Sequence, residues 1–113
     1  MTRGEIYWAD YGVPFGSETG FRRPVVIVQH NDFNIKELRT VIALPLTTNL
    51  LLAEAPANVF IDKESSGLPK DSTAAVSQVG AIDKARLSEK IGSLPDSDMQ
   101  EIDEGLRLIL SLR

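Results

Sequence analysis

The chain contains no cysteine and a single histidine, His30. Disulfides, thiolate zinc sites, iron–sulfur clusters, cysteine nucleophiles and a histidine pair on a metal are therefore excluded. Guanidinium, hydroxyl and carboxylate groups are then the candidates for chemistry. Arg23 stands between a glycine-bearing stretch and an apolar run. A guanidinium is a rigid fork matched to phosphate oxygens, so Arg23 reads either as an anion contact or as a surface ion-pair partner. Thr47 can donate its hydroxyl to a phosphate oxygen, or it can satisfy a local turn. Glu18 can serve as a base, or it can be a solvated loop acid. His30 titrates in the range suited to proton transfer, but it ends a strand against a turn, and a structural role is expected there.

The elements that must position these residues are mostly strands. Residues 5–11 alternate and carry aromatics, as a half-buried strand does. Residues 12–20 hold Gly12, Pro14, Gly16 and Gly20 and read as a loop. Residues 24–29 form a β-branched run, a buried strand with Pro24 at its first position. Asn31 to Asn34 can open a short helical turn reaching Leu38. Residues 40–44 read as a strand ended by Pro45, with Thr47, Thr48 and Asn49 as a polar loop. A short strand follows at 58–61, a turn at 64–69, and small β-compatible residues at 71–81. Asp83 is placed to cap one helical turn.

The last element is a helix. Met99, Ile102, Leu106, Ile109 and Leu110 share one face at helical spacing. Acids crowd its start, and Arg107 and Arg113 lie near its end, as the macrodipole favours. Pro95 fits a first-turn proline. Leu108 and Leu112 form a second apolar edge, read as further core with a subunit contact as the alternative. The expected fold is mainly β with a C-terminal helix (α+β), a small curled antiparallel sheet or barrel with the helix packed on it.

Length and charge narrow the function classes. At 113 residues the chain is one domain, 1–113, with one core's worth of apolar side chains. No signal peptide is read at the N-terminus. The most apolar stretch, 41–53, is too short and too polar to span a bilayer, so a soluble, cytoplasmic protein is expected. Net charge is −4, against bulk nucleic-acid binding, yet residues 95–113 carry −3 of it and the remainder only −1. A local basic patch is therefore compatible with the composition.

Several segments in order resemble the MazF/PemK/Kid family of toxin endoribonucleases. They are Arg3-Gly4-Glu5-Ile6-Tyr7-Trp8, Gly16-Ser17-Glu18 with Arg23-Pro24-Val25-Val26, and the run from Val41 through Pro45-Leu46-Thr47-Thr48-Asn49. Gly67-Leu68-Pro69-Lys70-Asp71-Ser72, Gln78-Val79, Ile82-Asp83-Lys84-Ala85-Arg86-Leu87 and Leu106-Arg107-Leu108-Ile109-Leu110 continue the match across nearly the whole chain. The resemblance implies an SH3-like small β-barrel of the CcdB/PemK type, a homodimer, and a cognate MazE-like antitoxin whose disordered tail covers an RNA groove. It also implies metal-independent, sequence-specific cutting of single-stranded RNA, with messenger RNA and also transfer or ribosomal RNA as candidate substrates, and no DNA for the toxin alone.

In that chemistry the 2′-hydroxyl attacks the adjacent phosphorus, leaving a 2′,3′-cyclic phosphate and a 5′-hydroxyl. The resemblance implies Arg23, Thr47 and Glu18 as catalytic residues. It implies RNA contacts from Phe15, Ser17, Thr19, Arg22, Thr48, Asn49, Ser77 and Gln78, with Phe15 able to stack a base. Departures matter. Ser17 stands where one branch has histidine, Ala75 and Ser77 where it has arginine and aspartate, and Gly80 where many members have arginine. They leave the general base open, imply a shifted RNA preference, and throw most of the catalysis on Arg23 with Thr47. The alternatives are a non-enzymatic, gyrase-binding toxin like CcdB and a catalytically degenerate relative.

Overall fold

The computed structural model of the chain describes residues 1–13, 16 and 21–113. Its strands are β1 (Glu5–Asp10), β2 (Arg22–Ile27), β3 (Thr40–Thr47), β4 (Val59–Ile61), β5 (Ser72–Ala74), β6 (Gly80–Asp83) and β7 (Leu87–Ser93). Two one-turn helices, α1 (Asn31–Asn34) and α2 (Lys63–Ser66), interrupt them, and α3 (Asp96–Leu110) follows β7. Every strand pairing is antiparallel.

Strand β3 organises the sheet by changing partners along its length. Thr40 to Ala43 pair with Asp83 to Gly80 of β6. Leu46 and Thr47 pair instead with Ala74 and Thr73 of β5. On its other edge, Ala43, Leu44 and Pro45 face Ile27, Val26 and Val25 of β2. Strand β2 pairs with β1, and β1 with β7. The ribbon β6-β3-β2-β1-β7 thus curls, and a 3-10 turn at Lys84–Arg86 joins its two edge strands. Asp83 caps that turn as expected, its carboxylate accepting the Ala85 N–H at 2.8 Å. Two register shifts between β1 and β7 tighten the curl. This is the SH3-like barrel, with β4 and β5 extending β3 as a short second sheet.

Alternation along the central strands divides the apolar side chains between two cores. Ala9, Val25, Ile27, Val41, Ala43 and Ile82 fill the inside of the curled ribbon. Ile6, Val26, Leu44 and Leu46 point the other way, onto Val59, Ile61, Leu68, Met99 and Ile102. The second core lies between the ribbon, the short sheet and α3. Val25, Val26 and Ile27 are each 0% exposed, so β2 is covered on both faces.

Some boundaries differ from the sequence reading. Strand β3 does not end at Pro45 but runs on to Thr47. Proline is tolerated there because the neighbour changes at that point from β6 to β5, so no ladder donor is lost. Its carbonyl still accepts the Ala75 N–H at 2.9 Å. Pro24 is the third residue of β2, not the first; the β2–β3 ladder begins only at Val25. Helix α1 stops at Asn34, and its cap is His30, whose Nδ1 accepts the Asp32 N–H at 3.1 Å. The sequence gives no strand at 88–93, where bulges break the alternation of β7. Pro95 is the N-cap of α3 rather than a first-turn residue. Leu108 and Leu112 are exposed, so that edge is not core in the single chain; Ile109 and Leu110, expected on the buried stripe, are exposed as well, because the last turn of α3 runs past the core.

Helix α3 docks closely because Gly105 has no side chain. A Cβ there would sit 2.3 Å from the Ala57 carbonyl oxygen, a backbone atom. Alanine would add about 1 kcal/mol of helix propensity, but the forced displacement of packed backbone costs about 1–3 kcal/mol or more. Gly105→Ala is therefore expected to lower the thermal midpoint, whereas Gly80→Ala, with open space around it, leaves it nearly unchanged. Calorimetry on the two variants checks this. Asp98, in the first turn of α3, buries Oδ2 without a hydrogen-bond partner among the described residues. Burial, then the charges of Glu101 and Asp62, hold its carboxyl above the usual aspartate range. Ionising it therefore costs more in the folded than in the unfolded chain, a penalty present at neutral pH and lost as pH falls through the folded pKa. Asp98→Asn is expected to raise the unfolding midpoint in urea at pH 7, with the gain gone below about pH 4.

Candidate functional site

A cleft of about 350 Å³ opens where β2 begins and β3 ends. Arg22, Arg23 and Pro24 line it from β2, and Leu46, Thr47 and Thr48 from the end of β3. Trp8 and Phe21 border it on the β1 side, and Leu68, Pro69, Lys70 and Ser72 from the segment leading into β5. Its described lining holds three cations and no carboxylate.

Strand pairing sets the two leading candidates together. The β2–β3 register pairs Ile27 with Ala43, Val26 with Leu44 and Val25 with Pro45. Carried two residues further, the same register sets Arg23 opposite Thr47. Both therefore extend beyond the buried pairs onto one face, at the mouth of the ribbon. Arg23 also pairs across β1 with Ala9, which is 1% exposed, so a rigid strand carries the guanidinium. Tyr11 lies near it. Burial pushes the Tyr11 phenol up to about 12, with the Arg23 charge pulling the other way. At neutral pH that phenol is a proton donor and not a base.

The remaining cleft groups are held by local bonds. The Arg22 guanidinium lies 4.1 Å over the Trp8 ring, a cation–π contact that fixes its plane. The Thr47 Oγ1 accepts the Asn49 N–H at 3.2 Å. That bond uses an oxygen lone pair and not the hydroxyl proton, so local turn chemistry and donation into the cleft are compatible. The Asn49 side chain caps the following turn through the Leu51 N–H, and its carbonyl accepts from Thr73 Oγ1.

Of the residues singled out from sequence, Arg22, Arg23, Thr47 and Thr48 come together in the cleft. Asn49 does not line it and acts on the backbone beside it. Ser77 and Gln78 are exposed on the 3-10 turn Val76–Gln78, which packs beside α3, and do not line the cleft. Phe15, Ser17, Glu18 and Thr19 lie outside the described residues. His30 caps α1, the structural role expected of it. The sequence reading missed Trp8, Phe21 and Lys70 as site residues. Trp8 carried a signal, since its alternation with Tyr7 and Ala9 turns it away from the barrel interior. Lys70 carried another, as the one cation in a Leu-Pro-Lys turn.

The family model described as PemK-like, MazF-like toxin of type II toxin-antitoxin system matches residues 2–110. The chain is 43% identical over 112 residues to endoribonuclease MazF2 of Mycobacterium bovis, covering 99% of this chain and 98% of that one. It is 38% identical over 112 residues to endoribonuclease EndoA of Bacillus subtilis, covering 99% and 96%. A solved endoribonuclease in complex with its cognate antitoxin, from a mycobacterial species, aligns with a TM-score of 0.78 at 25% identity, covering 100% of this chain and 95% of that one. With matches of this extent over a barrel of this topology, the chain belongs to the PemK-like, MazF-like toxins of type II toxin–antitoxin systems.

Proposed function

We propose that this chain is a toxin endoribonuclease that cuts single-stranded RNA at short sequences in the cytoplasm, without a metal. The observation that carries the reading is the cleft in which Arg23, Arg22 and Lys70 converge beside Thr47, with no carboxylate in its described lining. Such a lining suits a polyanion, and the names of its relatives favour cutting over binding alone. Ala75, Ser77 and Gly80 do not line this cleft, so these departures from the family pattern leave Arg23 and Thr47 in place. That favours an active enzyme over a degenerate one.

RNA carries its own nucleophile. The 2′-oxygen forms a bond to phosphorus as the bond to the 5′-oxygen breaks. The 2′-hydroxyl loses its proton and the departing 5′-oxygen gains one, leaving a 2′,3′-cyclic phosphate. Arg23 and the Thr47 hydroxyl would stabilise the charge that builds on the non-bridging oxygens, and preorganised donors of this kind are each worth about a hundredfold or more. Arg22 and Lys70 would hold neighbouring phosphates. Glu18 remains the proposed base, with Phe15, Ser17 and Thr19 as proposed RNA contacts. A MazE-like antitoxin is the proposed partner; a relative of similar fold is solved with its cognate antitoxin, and a carboxylate-bearing segment suits the cleft's cations. A homodimer is also proposed, and the exposed Leu108, Leu110 and Leu112 support it.

A long single-stranded RNA is expected to be cut in excess EDTA, and the same site carrying 2′-deoxyribose is expected to resist. Primer extension reads both; loss of cutting in EDTA, or persistence of cutting at the deoxy site, would overturn the mechanism. Arg23→Ala is expected to slow single-turnover cleavage by about a hundredfold while the variant remains folded by circular dichroism. A fall of less than about tenfold, roughly 1.4 kcal/mol of barrier, would remove Arg23 from the catalytic role.

A further inference from the structure

Phe21 is an anomaly that the cleavage chemistry does not use. It is 63% exposed, and its backbone is left-handed, with φ of +63°. A bulky residue rarely adopts that conformation, because its Cβ crowds the neighbouring carbonyl. Two backbone bonds hold it there: the Phe21 N–H donates to the Gly12 carbonyl at 2.5 Å, and the Phe21 carbonyl accepts the Tyr11 N–H at 2.9 Å. A side chain of Arg86 braces the same corner by donating to the Asp10 carbonyl at 3.0 Å. The fold thus presents a large aromatic ring to water at a backbone position suited to glycine, next in sequence to Arg22 and on the wall of the cationic cleft.

Strain held at a site's rim points to a ligand contact. Grooves for single-stranded nucleic acid pair cations for the phosphates with aromatic faces for the bases. Three cations line this cleft, and Phe21 is the most exposed of the aromatic residues described there. We infer that Phe21 stacks a nucleobase of the bound RNA, one flanking the phosphate held by Arg23, and so fixes the ribose whose 2′-hydroxyl attacks. The inference rests on the ribonuclease reading. Every base offers a π-face, so the stack requires that a base be present without choosing which one. Base identity is then read elsewhere, and Phe21 sets affinity and alignment.

The test uses the full-length protein and a fluorescein-labelled oligoribonucleotide that contains a cut site with 2′-deoxyribose at the scissile position. A series of the same oligonucleotide carries one abasic residue at each position in turn. Anisotropy is expected to give one abasic position beside the scissile phosphate that weakens wild-type binding about five- to hundredfold. Phe21→Gly is expected to weaken binding of the intact oligonucleotide by the same factor and to be indifferent to that abasic position. Its thermal midpoint is not expected to fall, because glycine relieves the left-handed backbone. Phe21→Tyr is expected to restore both affinity and abasic sensitivity. If wild type cuts RNA and Phe21→Gly binds and cuts as well as it does, or if both proteins respond alike to every abasic position, the stack is wrong and the ribonuclease reading stands. If wild type neither binds nor cuts any single-stranded RNA, both fall together.

Discussion

The pairing of β2 with β3 is the constraint on which the site depends. Val25, Val26 and Ile27 face Pro45, Leu44 and Ala43, and all six residues are buried. A strand apolar on both faces does not fix its own register by hydrophobicity, because a slip moves one apolar residue into another's place. The ends of the pairing supply what the middle lacks. A slip that drew Arg23 two residues inward would bury a guanidinium in the barrel core, at a cost of several kcal/mol. A slip that drew Pro45 back along β3 would set a residue without an N–H into the β6 ladder. The charged and the donorless residue therefore define where the apolar strands must stop. The same requirement brings Arg23 and Thr47 to one mouth of the barrel.

What was legible in the sequence follows from this division. The apolar run at 24–29, the alternation at 5–11 and the helical stripe from Met99 to Leu110 are local patterns, and each became the expected element, although Ile109 and Leu110 at the end of the stripe stay exposed. The Asp83 cap was legible because its bond spans two residues. The extent of β3 past Pro45 was not, because proline's cost there depends on β6 and β5 taking over from one another, which is a long-range fact. Strand β7 was missed because bulges against β1 remove its alternation. Arg23 and Thr47 were legible as a type of chemistry, but they lie 24 positions apart in the chain, and only the register sets them opposite each other. Trp8, Phe21 and Lys70 come from three separate segments, and the cleft exists only when those segments fold together.

Charge is arranged more tellingly than its sum. The chain carries −4, yet the cleft's described lining holds three cations. The acidic excess of residues 95–113 falls in and around α3, which contributes nothing to that lining. Screening at physiological salt acts over about 8 Å, so a phosphate in the cleft meets Arg22, Arg23 and Lys70 well before it meets the distant acids. Exposed cations alone would be weak and mobile contacts. The Trp8 ring under Arg22 and the strand under Arg23 reduce that freedom, and the entropy lost on binding falls with it.

The chemistry then turns on which group removes the proton. Among the described cleft residues there is no histidine and no carboxylate, and Tyr11, with its phenol near 12, holds its proton through the physiological range. Under the proposed mechanism the described residues supply stabilisation of the phosphorane, and proton removal is left to the proposed base, Glu18. General-base help is commonly worth about a hundredfold to ten-thousandfold, and fixed donors can supply a comparable factor in a partly dehydrated cleft. Catalysis that leans on donors is sensitive to their placement, since a misalignment of about 1 Å can cost about a hundredfold. On the proposed mechanism, that sensitivity favours donors carried by the doubly buried β2–β3 pair, whereas Phe21 and Lys70, proposed to stack or gather the substrate, can sit on the corner before β2 and the turn before β5.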